Sequence, residues 1–239
     1  MSDEIKVFQT CDKENYRELL DISVRSSEIY CQRFDIKFEK FIGIKRGYFP
    51  WHACFNRIIY LKEQLDSGFT GWIFYLDADT CIFDHSLDVR ELLGSYDGDF
   101  LFAPGGLTGK KWDVNDGVFL INLGSDAGKR LIVAWYDNFM ATPDDALREA
   151  AVWESLKSDQ PRLHDILREN PDLLARLAIL PREVFNNEYA SFVRQVLRSN
   201  VATMEERVAR LRADVDEALR YRLSSSTPHS AADSASQPD

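Results

Sequence analysis

The strongest constraint in this sequence is an apolar run that ends abruptly at two carboxylates. Residues 72–76 read WIFYL, and Asp77-Ala78-Asp79 follows directly. Such a run is typical of a strand that is buried on both faces of a sheet. Because side chains alternate along a strand, Asp77 and Asp79 are expected to share a side where it ends. Ligands of open α/β sheets bind at the carboxyl ends of the strands, and paired carboxylates there suit a hard divalent cation.

Three Asp-x-Asp triplets occur in the chain, and they differ in context. The triplet at 97–99 lies among turn residues without a preceding apolar run. The triplet at 214–216 lies in a helical pattern, where residues two apart do not share a face. The alternative for the triplet at 77–79 is a solvated turn between a strand and a loop. Only the triplet at 77–79 is therefore a candidate site.

Length and charge limit the class of protein. The chain has 239 residues, which suits one large α/β domain or one domain with a helical appendage. Its formal net charge of −10 argues against a nucleic-acid partner. No stretch approaches the length of a membrane span, so no transmembrane segment is predicted. The cysteines form no Cys-x-x-Cys pair, which argues against zinc, and their apolar surroundings indicate reduced core residues of a cytosolic protein.

Alternating strand and helix patterns predict an α/β fold with a largely parallel sheet and helices on its faces. Strands are predicted at 5–10, 36–44, 72–76, 100–103 and 118–122, and helices at 15–34 and 50–65. The segment at 115–117, Asn-Asp-Gly, is interpreted as a turn before the last of these strands. From about residue 131 the pattern is mostly helical.

A capping-box spacing, Thr203 with Glu206, predicts a final helix over 203–223. Its apolar stripe favours docking against the domain, and a homodimer seam is the alternative. Residues 224–239 lack apolar periodicity and are predicted to form a disordered tail. The expected division is therefore a domain at 1–200, an amphipathic helix at 201–223 and a tail.

Four features occur in an order that resembles a known family: the opening strand, the apolar strand ending in Asp-Ala-Asp, the run NDGVFLIN at 115–122 and the pair Asp159-Gln160. The chain resembles glycosyltransferases of the GT-A fold over roughly residues 5–195. It is most similar to retaining galactosyl-, mannosyl- and xylosyltransferases of mannan and xyloglucan type. Lipopolysaccharide galactosyltransferases and glycogenin are more distant. The resemblance implies a Rossmann-like GT-A domain with a helical C-terminal region.

The same resemblance implies an activity and its partners. A sugar would move, with retention, from a nucleotide-diphosphate sugar to a glycan or other hydroxyl acceptor, and a UDP-sugar is favoured over a GDP-sugar. Mn²⁺ or Mg²⁺ on Asp77 and Asp79 would act as a Lewis acid toward the departing diphosphate. A bacterial cytoplasmic enzyme of polysaccharide biosynthesis is expected, with peripheral association at the inner membrane as a further expectation.

Further site residues follow from the matching positions. The donor-binding set implied by the resemblance is Thr10, Arg25, Asn56, Arg57, Asp77, Ala78, Asp79 and Asn115. Asp116, Asp159 and Gln160 would face the donor sugar as the catalytic set. Each has a plainer alternative, such as a strand-end threonine, a surface arginine, a turn aspartate or, for Asp159, a helix N-cap.

One position departs from the family. These enzymes usually complete the metal site with a histidine late in the domain, and Gln195 stands where it would align. Gln195 is then a weaker third ligand, or the carboxylates and the donor hold the cation without it, or catalysis has been lost. A non-catalytic sugar-nucleotide-binding protein and a sugar nucleotidyltransferase are the rival functions. The latter usually has a Gly-rich basic loop after the first strand, whereas residues 10–14 here read TCDKE.

Overall fold

The strands and helices of the computed structural model follow the predicted α/β order. It describes residues 4–225, and the side chains of residues 4–220. Of the predicted tail at 224–239, residues 224 and 225 belong instead to the last helix, and the rest lies outside the described residues. The strands in this range are β1 (Ile5–Cys11), β2 (Lys37–Ile42), β3 (Trp72–Asp77), β4 (Thr80–Ile82), β5 (Phe100–Pro104), β6 (Val114–Asn122), β7 (Leu177–Ile179), β8 (Phe185–Asn187) and β9 (Val193–Gln195). The α-helices are α1 (Arg17–Arg33), α2 (Asn56–Asp66), α3 (Val89–Leu93), α4 (Asp126–Met140), α5 (Asp144–Glu149), α6 (Asp159–Glu169), α7 (Pro171–Ala175) and α8 (Met204–Ser225).

The main sheet has six strands in the order β2-β1-β3-β6-β5-β7. Only β6 runs antiparallel to its neighbours β3 and β5. The other pairs, β1 with β2, β1 with β3, and β5 with β7, are parallel. The predicted α/β class with a largely parallel sheet is therefore confirmed. Since β6 is reversed, its beginning lies at the same sheet edge as the carboxyl ends of β1 and β3.

Strand β3 lies between two apolar cores, as its unbroken apolar run predicts. Ile73 and Tyr75 face the core that includes α2, α4 and α6. Phe74 and Leu76 face the opposite core, where Tyr30 of α1 packs. The alternation along the strand places Asp77 at its end, next to the tight turn that leads into β4.

A second sheet of three strands, in the order β4-β9-β8, follows directly from that turn. Strand β9 pairs antiparallel with β4, and Thr80 lies opposite Gln195. The backbone N–H of Val196 donates to the carbonyl of Asp79 over 3.1 Å. Residues 177–195 thus contain short strands where the sequence predicts mainly helix, because long-range pairing with β4 and β5 decides their conformation.

The predicted turn at 115–117 is wrong, because these residues lie inside β6. Asn115 pairs with Ala103 and Phe119 pairs with Phe102, so the ladder shifts register between them. The turn-forming residues therefore make a bulge within a central strand. Pairing on both sides of β6 overrides the local preference of Asn-Asp-Gly for a turn.

Helix α8 begins as predicted. Thr203 Oγ1 accepts from the N–H of Glu206 over 3.1 Å, and the Glu206 carboxylate accepts from the N–H of Ala202 over 2.8 Å. Leu211 and Val215 are buried in a core shared with α1. The stripe docks on the domain, which is the first of the two predicted alternatives, and nothing supports the homodimer seam. Among residues 4–225, the helices include none that combines the length and the apolarity needed to cross a membrane.

Candidate functional site

A cavity of about 480 Å³ opens where the carboxyl ends of β1 and β3 meet the beginning of β6. Its volume is in the range of small-ligand sites. Most of the predicted site residues line it: Thr10, Arg57, Asp77, Ala78, Asp79, Asn115, Asp116, Asp159, Gln160 and Gln195. Residues far apart in the chain therefore converge on one concave surface.

Asp77 and Asp79 lie on the floor of this cavity, and Gln195 lies against both. The Gln195 amide nitrogen donates to Asp79 Oδ1 over 2.9 Å and to Asp77 Oδ2 over 3.3 Å. Two carboxylates require donors, which assigns the nitrogen rather than the oxygen of the amide to this side. Gln195 reaches them because Thr80, the residue after Asp79, is its partner in the β4–β9 ladder.

Arg57 is the electrostatic centre of the other wall. Its Nη2 lies 2.7 Å from Asp77 Oδ1, its Nη1 lies 3.2 Å from Asp116 Oδ1, and its Nε lies 3.0 Å from Asp159 Oδ2. The guanidinium also lies 4.4 Å from the ring centroid of Tyr75. Only 6% of the Arg57 side chain is exposed, so one buried cation holds three carboxylates from different elements.

Burial and mutual repulsion change the protonation of these carboxylates. Burial raises the pKa of Asp77 to about 6, although Arg57 opposes the shift. Burial, together with the nearby Asp159, raises the pKa of Asp116 well above its usual range, and again Arg57 opposes it. Burial alone would lower the pKa of Arg57, but the three carboxylates raise it well above its usual value. Burial therefore shifts Asp116 toward its protonated form, whereas the surrounding carboxylates keep Arg57 charged.

Gln160 and Asp159 begin α6 at the cavity wall. The Gln160 side-chain oxygen accepts from the backbone N–H of Asp116 over 3.3 Å, which links α6 to the bulge of β6. The alternative of Asp159 as a helix N-cap is wrong, because Ser158 occupies the cap position. The Asp159 carboxylate is directed to Arg57 instead.

Two predicted donor-binding residues lie elsewhere. Arg25 is exposed on α1 and pairs with Asp216 of α8 over 2.9 Å. Asn56 is buried, and its amide nitrogen donates to Thr10 Oγ1 and to the Gly43 carbonyl, each over 2.8 Å. Neither side chain lines the cavity. Asn56 instead fixes Thr10 and the loop after β2, because one amide can satisfy several buried polar groups.

Several residues that the sequence analysis did not identify also line the cavity. The first of them is Arg207 of α8, which forms an ion pair with Asp79. Arg198 lies nearby and contacts the hydroxyl of Tyr16. Trp51 and Trp153 lie with ring centroids 5.4 Å apart and form an aromatic part of the wall. Arg207 could not be identified from the sequence, because its helix shows only ordinary i,i+4 charge pairs. No local pattern indicates which arginine of the helix points into the cavity.

Gly117 allows the carboxylates and the glutamine to approach β6. A Cβ at this position would lie 2.7 Å from Gln195 Nε2 and 2.8 Å from Asp77 Oδ2. Cβ contacts that short do not occur, so any larger residue at 117 would force Asp77 and Gln195 to shift. The glycine itself is visible in the sequence, but its Asn-Asp-Gly context predicts a turn and not a close approach of side chains.

A divalent cation at this site would need free oxygen ligands. Asp77 Oδ1 accepts from Arg57 and Tyr75, and both Asp77 Oδ2 and Asp79 Oδ1 accept from Gln195. Asp79 Oδ2 is paired with Arg207. Across residues 4–225, no group of three or more His, Cys, Asp or Glu side chains is arranged to hold a metal ion. The donor set as it stands does not fit a resident cation.

Comparison with known proteins bears on the fold. No protein-family model matches the chain, and no curated protein matches it either. Among solved structures, it is similar to a glycosyltransferase involved in the glycosylation of the major capsid of PBCV-1. The TM-score is 0.63 at 14% identity, over 87% of this chain and 98% of that one.

A second similar structure is the glycosyltransferase GlyE of Streptococcus pneumoniae TIGR4, in its apo form. Here the TM-score is 0.53 at 13% identity, over 94% of this chain and 64% of that one. These TM-scores support a shared fold, and identities this low leave the subfamily open. The six-stranded sheet, its reversed strand and these two likenesses together show that the chain has the GT-A fold of glycosyltransferases.

Proposed function

We propose that this protein is a glycosyltransferase that moves a sugar from a nucleotide-diphosphate sugar to a hydroxyl group of an acceptor. The observation that carries the proposal is the convergence of Asp77, Asp79, Arg57, Asp116 and Gln160 on one cavity of a GT-A fold. The cavity lies at the carboxyl ends of β1 and β3, where open α/β sheets bind their ligands. A UDP-sugar is the donor that we propose to test first, and the acceptor is proposed to be a glycan.

Within this proposal, the donor spans the cavity from one wall to the other. The nucleoside lies toward Thr10 at the end of β1, and the diphosphate lies beside Asp77 and Asp79. The sugar then lies toward Asp116 and Gln160. Trp51 and Trp153, whose rings are tilted by 58° to each other, supply aromatic faces of the kind that pack against sugar or base rings.

We also propose retention of configuration at the sugar carbon. Asp159 is buried and ion-paired with Arg57, so its carboxylate is poorly placed as a free nucleophile. Gln160 presents an amide, which is too weak a nucleophile for a stable covalent intermediate. Same-face attack by the acceptor, with Gln160 positioning the reacting carbon, fits these two side chains. We do not propose the metal-assisted form predicted from the Asp-Ala-Asp motif, because the carboxylate oxygens that would bind the metal are already paired with Arg57, Gln195 and Arg207.

The first experiment measures ligand binding by thermal shift with UDP, GDP and their sugar conjugates. Binding to the native state should raise the melting temperature. Turnover is then followed as release of UDP, and the anomeric configuration of the product is read by NMR. Asp97→Asn, whose side chain is 96% exposed, is the control for Gln160→Ala, which should lose turnover and keep UDP binding.

The same assays separate the rival functions. Nucleotide binding without turnover of any donor would indicate a non-catalytic sugar-nucleotide-binding protein. Release of pyrophosphate from a nucleoside triphosphate and a sugar 1-phosphate would indicate a nucleotidyltransferase. Absence of any thermal shift with every nucleotide would overturn the proposal. The bacterial cytoplasmic setting and the domain division at residue 200 stay predictions.

A further inference from the structure

Arg207 occupies the position beside Asp79 that a metal ion would need. Its guanidinium pairs with Asp79 Oδ2, and the two side chains are 7% and 3% exposed. It also donates to the Val196 carbonyl over 2.8 Å and to the Tyr16 hydroxyl over 2.9 Å. Three anchors from separate elements therefore fix one cation against the second carboxylate of the Asp-Ala-Asp motif.

The Arg207 guanidinium still has N–H groups that can donate to a ligand. Arginine has five N–H groups, and the three contacts just described use one on each nitrogen. Arg207 lines the cavity, and one N–H group on each of Nη1 and Nη2 is not used by these contacts. A planar guanidinium with paired donors is the side chain best matched to phosphate oxygens.

A second cation neutralises the first carboxylate of the motif in the same way. Arg57 pairs with Asp77 on the opposite side, and Gln195 fills the space between the two aspartates with a neutral donor. Arg198 is exposed at the same cavity and contacts the same Tyr16 hydroxyl as Arg207. A divalent cation here would meet guanidinium groups on two sides and would have to break a buried ion pair.

We propose that Arg207, assisted by Arg57 and Arg198, takes the place of the divalent cation and binds the diphosphate of the donor without metal. The inference rests on the proposed function for the identity of the ligand, but the site itself is built from residues 57, 77, 79, 198 and 207. In this arrangement Asp79 positions Arg207 rather than ligating a metal. Helix α8 thereby becomes part of the binding site and not an appendage.

The main test measures UDP binding by calorimetry in EDTA and in Mn²⁺. Equal affinity in both solutions is expected, and Mn²⁺ added without nucleotide should keep the full EPR signal of the free ion. Arg207→Gln should weaken UDP binding in EDTA by about tenfold or more, the usual worth of a charge-assisted hydrogen bond. Arg207→Lys should lose less. Arg212→Gln, at an exposed position on the same helix that pairs with Glu18 at 3.1 Å, is the matched control and should bind as the wild type does.

A second variant tests whether the loss of binding in Arg207→Gln could come merely from unfolding of α8. Asp79→Asn removes the charge of a metal ligand, but the asparagine side-chain oxygen can still accept from Arg207 and keep the guanidinium in place. Retained or tighter UDP binding in EDTA supports the inference, whereas loss of binding in Asp79→Asn overturns it. Wild-type binding that disappears in EDTA and returns with Mn²⁺ also overturns it.

Inorganic pyrophosphate distinguishes this inference from the proposed function. If no nucleotide binds, but pyrophosphate binds in EDTA and is lost in Arg207→Gln, then the diphosphate site stands and the donor assignment fails. If neither pyrophosphate nor UDP binds in EDTA, the inference is overturned.

Discussion

Arg57 Nη2 lies 2.7 Å from Asp77 Oδ1, which joins the first turn of α2 to the carboxyl end of β3. The same guanidinium reaches Asp116 in the β6 bulge and Asp159 at the start of α6. One buried side chain therefore fixes the relative positions of four elements around the cavity. Its removal should affect both stability and binding.

Arg57→Leu is expected to destabilise the protein by about 3–5 kcal/mol, because it leaves buried carboxylates without their partner. Arg57→Lys keeps the charge but cannot reach three carboxylates with a planar fork, so an intermediate loss is expected. Urea unfolding followed by circular dichroism measures both. The control is Arg176→Leu, whose exposed pairs with Asp97 and Asp99 should contribute about 0–1 kcal/mol. Similar losses at 57 and 176 would contradict a central role for Arg57.

Asp116→Asn should change how stability depends on pH. The pKa of Asp116 is raised well above its usual range by burial, so the folded state holds a proton that the unfolded state releases near pH 4. The contribution of Asp116 to the free energy of unfolding is then fully present below about pH 4, and it is lost as the pH rises toward the folded-state pKa. The asparagine variant lacks this proton and should show a flatter profile.

The measurement is the urea midpoint of wild type and Asp116→Asn at several values between about pH 5 and pH 8, on either side of neutrality. Asp97→Asn is the control, because its side chain is 96% exposed and should leave the slope unchanged. Asp77, whose pKa is raised to about 6 by burial, should leave a residual slope in the variant. Parallel profiles for wild type and Asp116→Asn would contradict a raised pKa for Asp116.

Gly117→Ala should disable the site while the fold survives. The new methyl group would press on Asp77 and Gln195 at less than 3 Å, so these side chains must move away from the cavity floor. We expect UDP binding to fall by about tenfold or more and stability to fall by about 1–3 kcal/mol, as for other overpacked positions. Calorimetry and thermal unfolding measure the two effects. Gly94→Ala, where a Cβ would meet no atom closer than 3.5 Å, should change neither quantity.

The four cysteines are free thiols, as the sequence predicts, and all of them lie in the described range. Burial raises the pKa of Cys11, Cys31 and Cys81 to about 12. At pH 8 the native protein should therefore react slowly with a disulfide reagent such as DTNB, because the thiolate is the reactive form. Burial also raises the pKa of Cys54 well above its usual range, so this thiol, which lines the cavity, should react slowly as well, and UDP should slow it further. All four should react at once in urea, and rapid labelling of the native protein at any of the four positions would contradict this burial.

Much of the fold could be predicted from periodicity. The run at 72–76, the strand at 5–10 and the helix at 15–34 all form near their predicted bounds, because each buries the face that its pattern specifies. The prediction failed where partners far along the chain decide the conformation. Residues 115–117 form a bulge in β6, and residues 193–195 form a strand, because β5 and β4 offer them hydrogen-bonding partners.

The candidate site divides in the same way. The sequence by itself determined the Asp-Ala-Asp motif at the end of a buried strand, since alternation and burial are local properties of a segment. It could not reveal that Arg207, 128 residues beyond Asp79, pairs with that carboxylate, nor that Arg25 and Asn56 lie outside the cavity. Only the tertiary structure decided these, because the docking of α8 on α1 and the pairing of β4 with β9 determine which charges meet in the buried space.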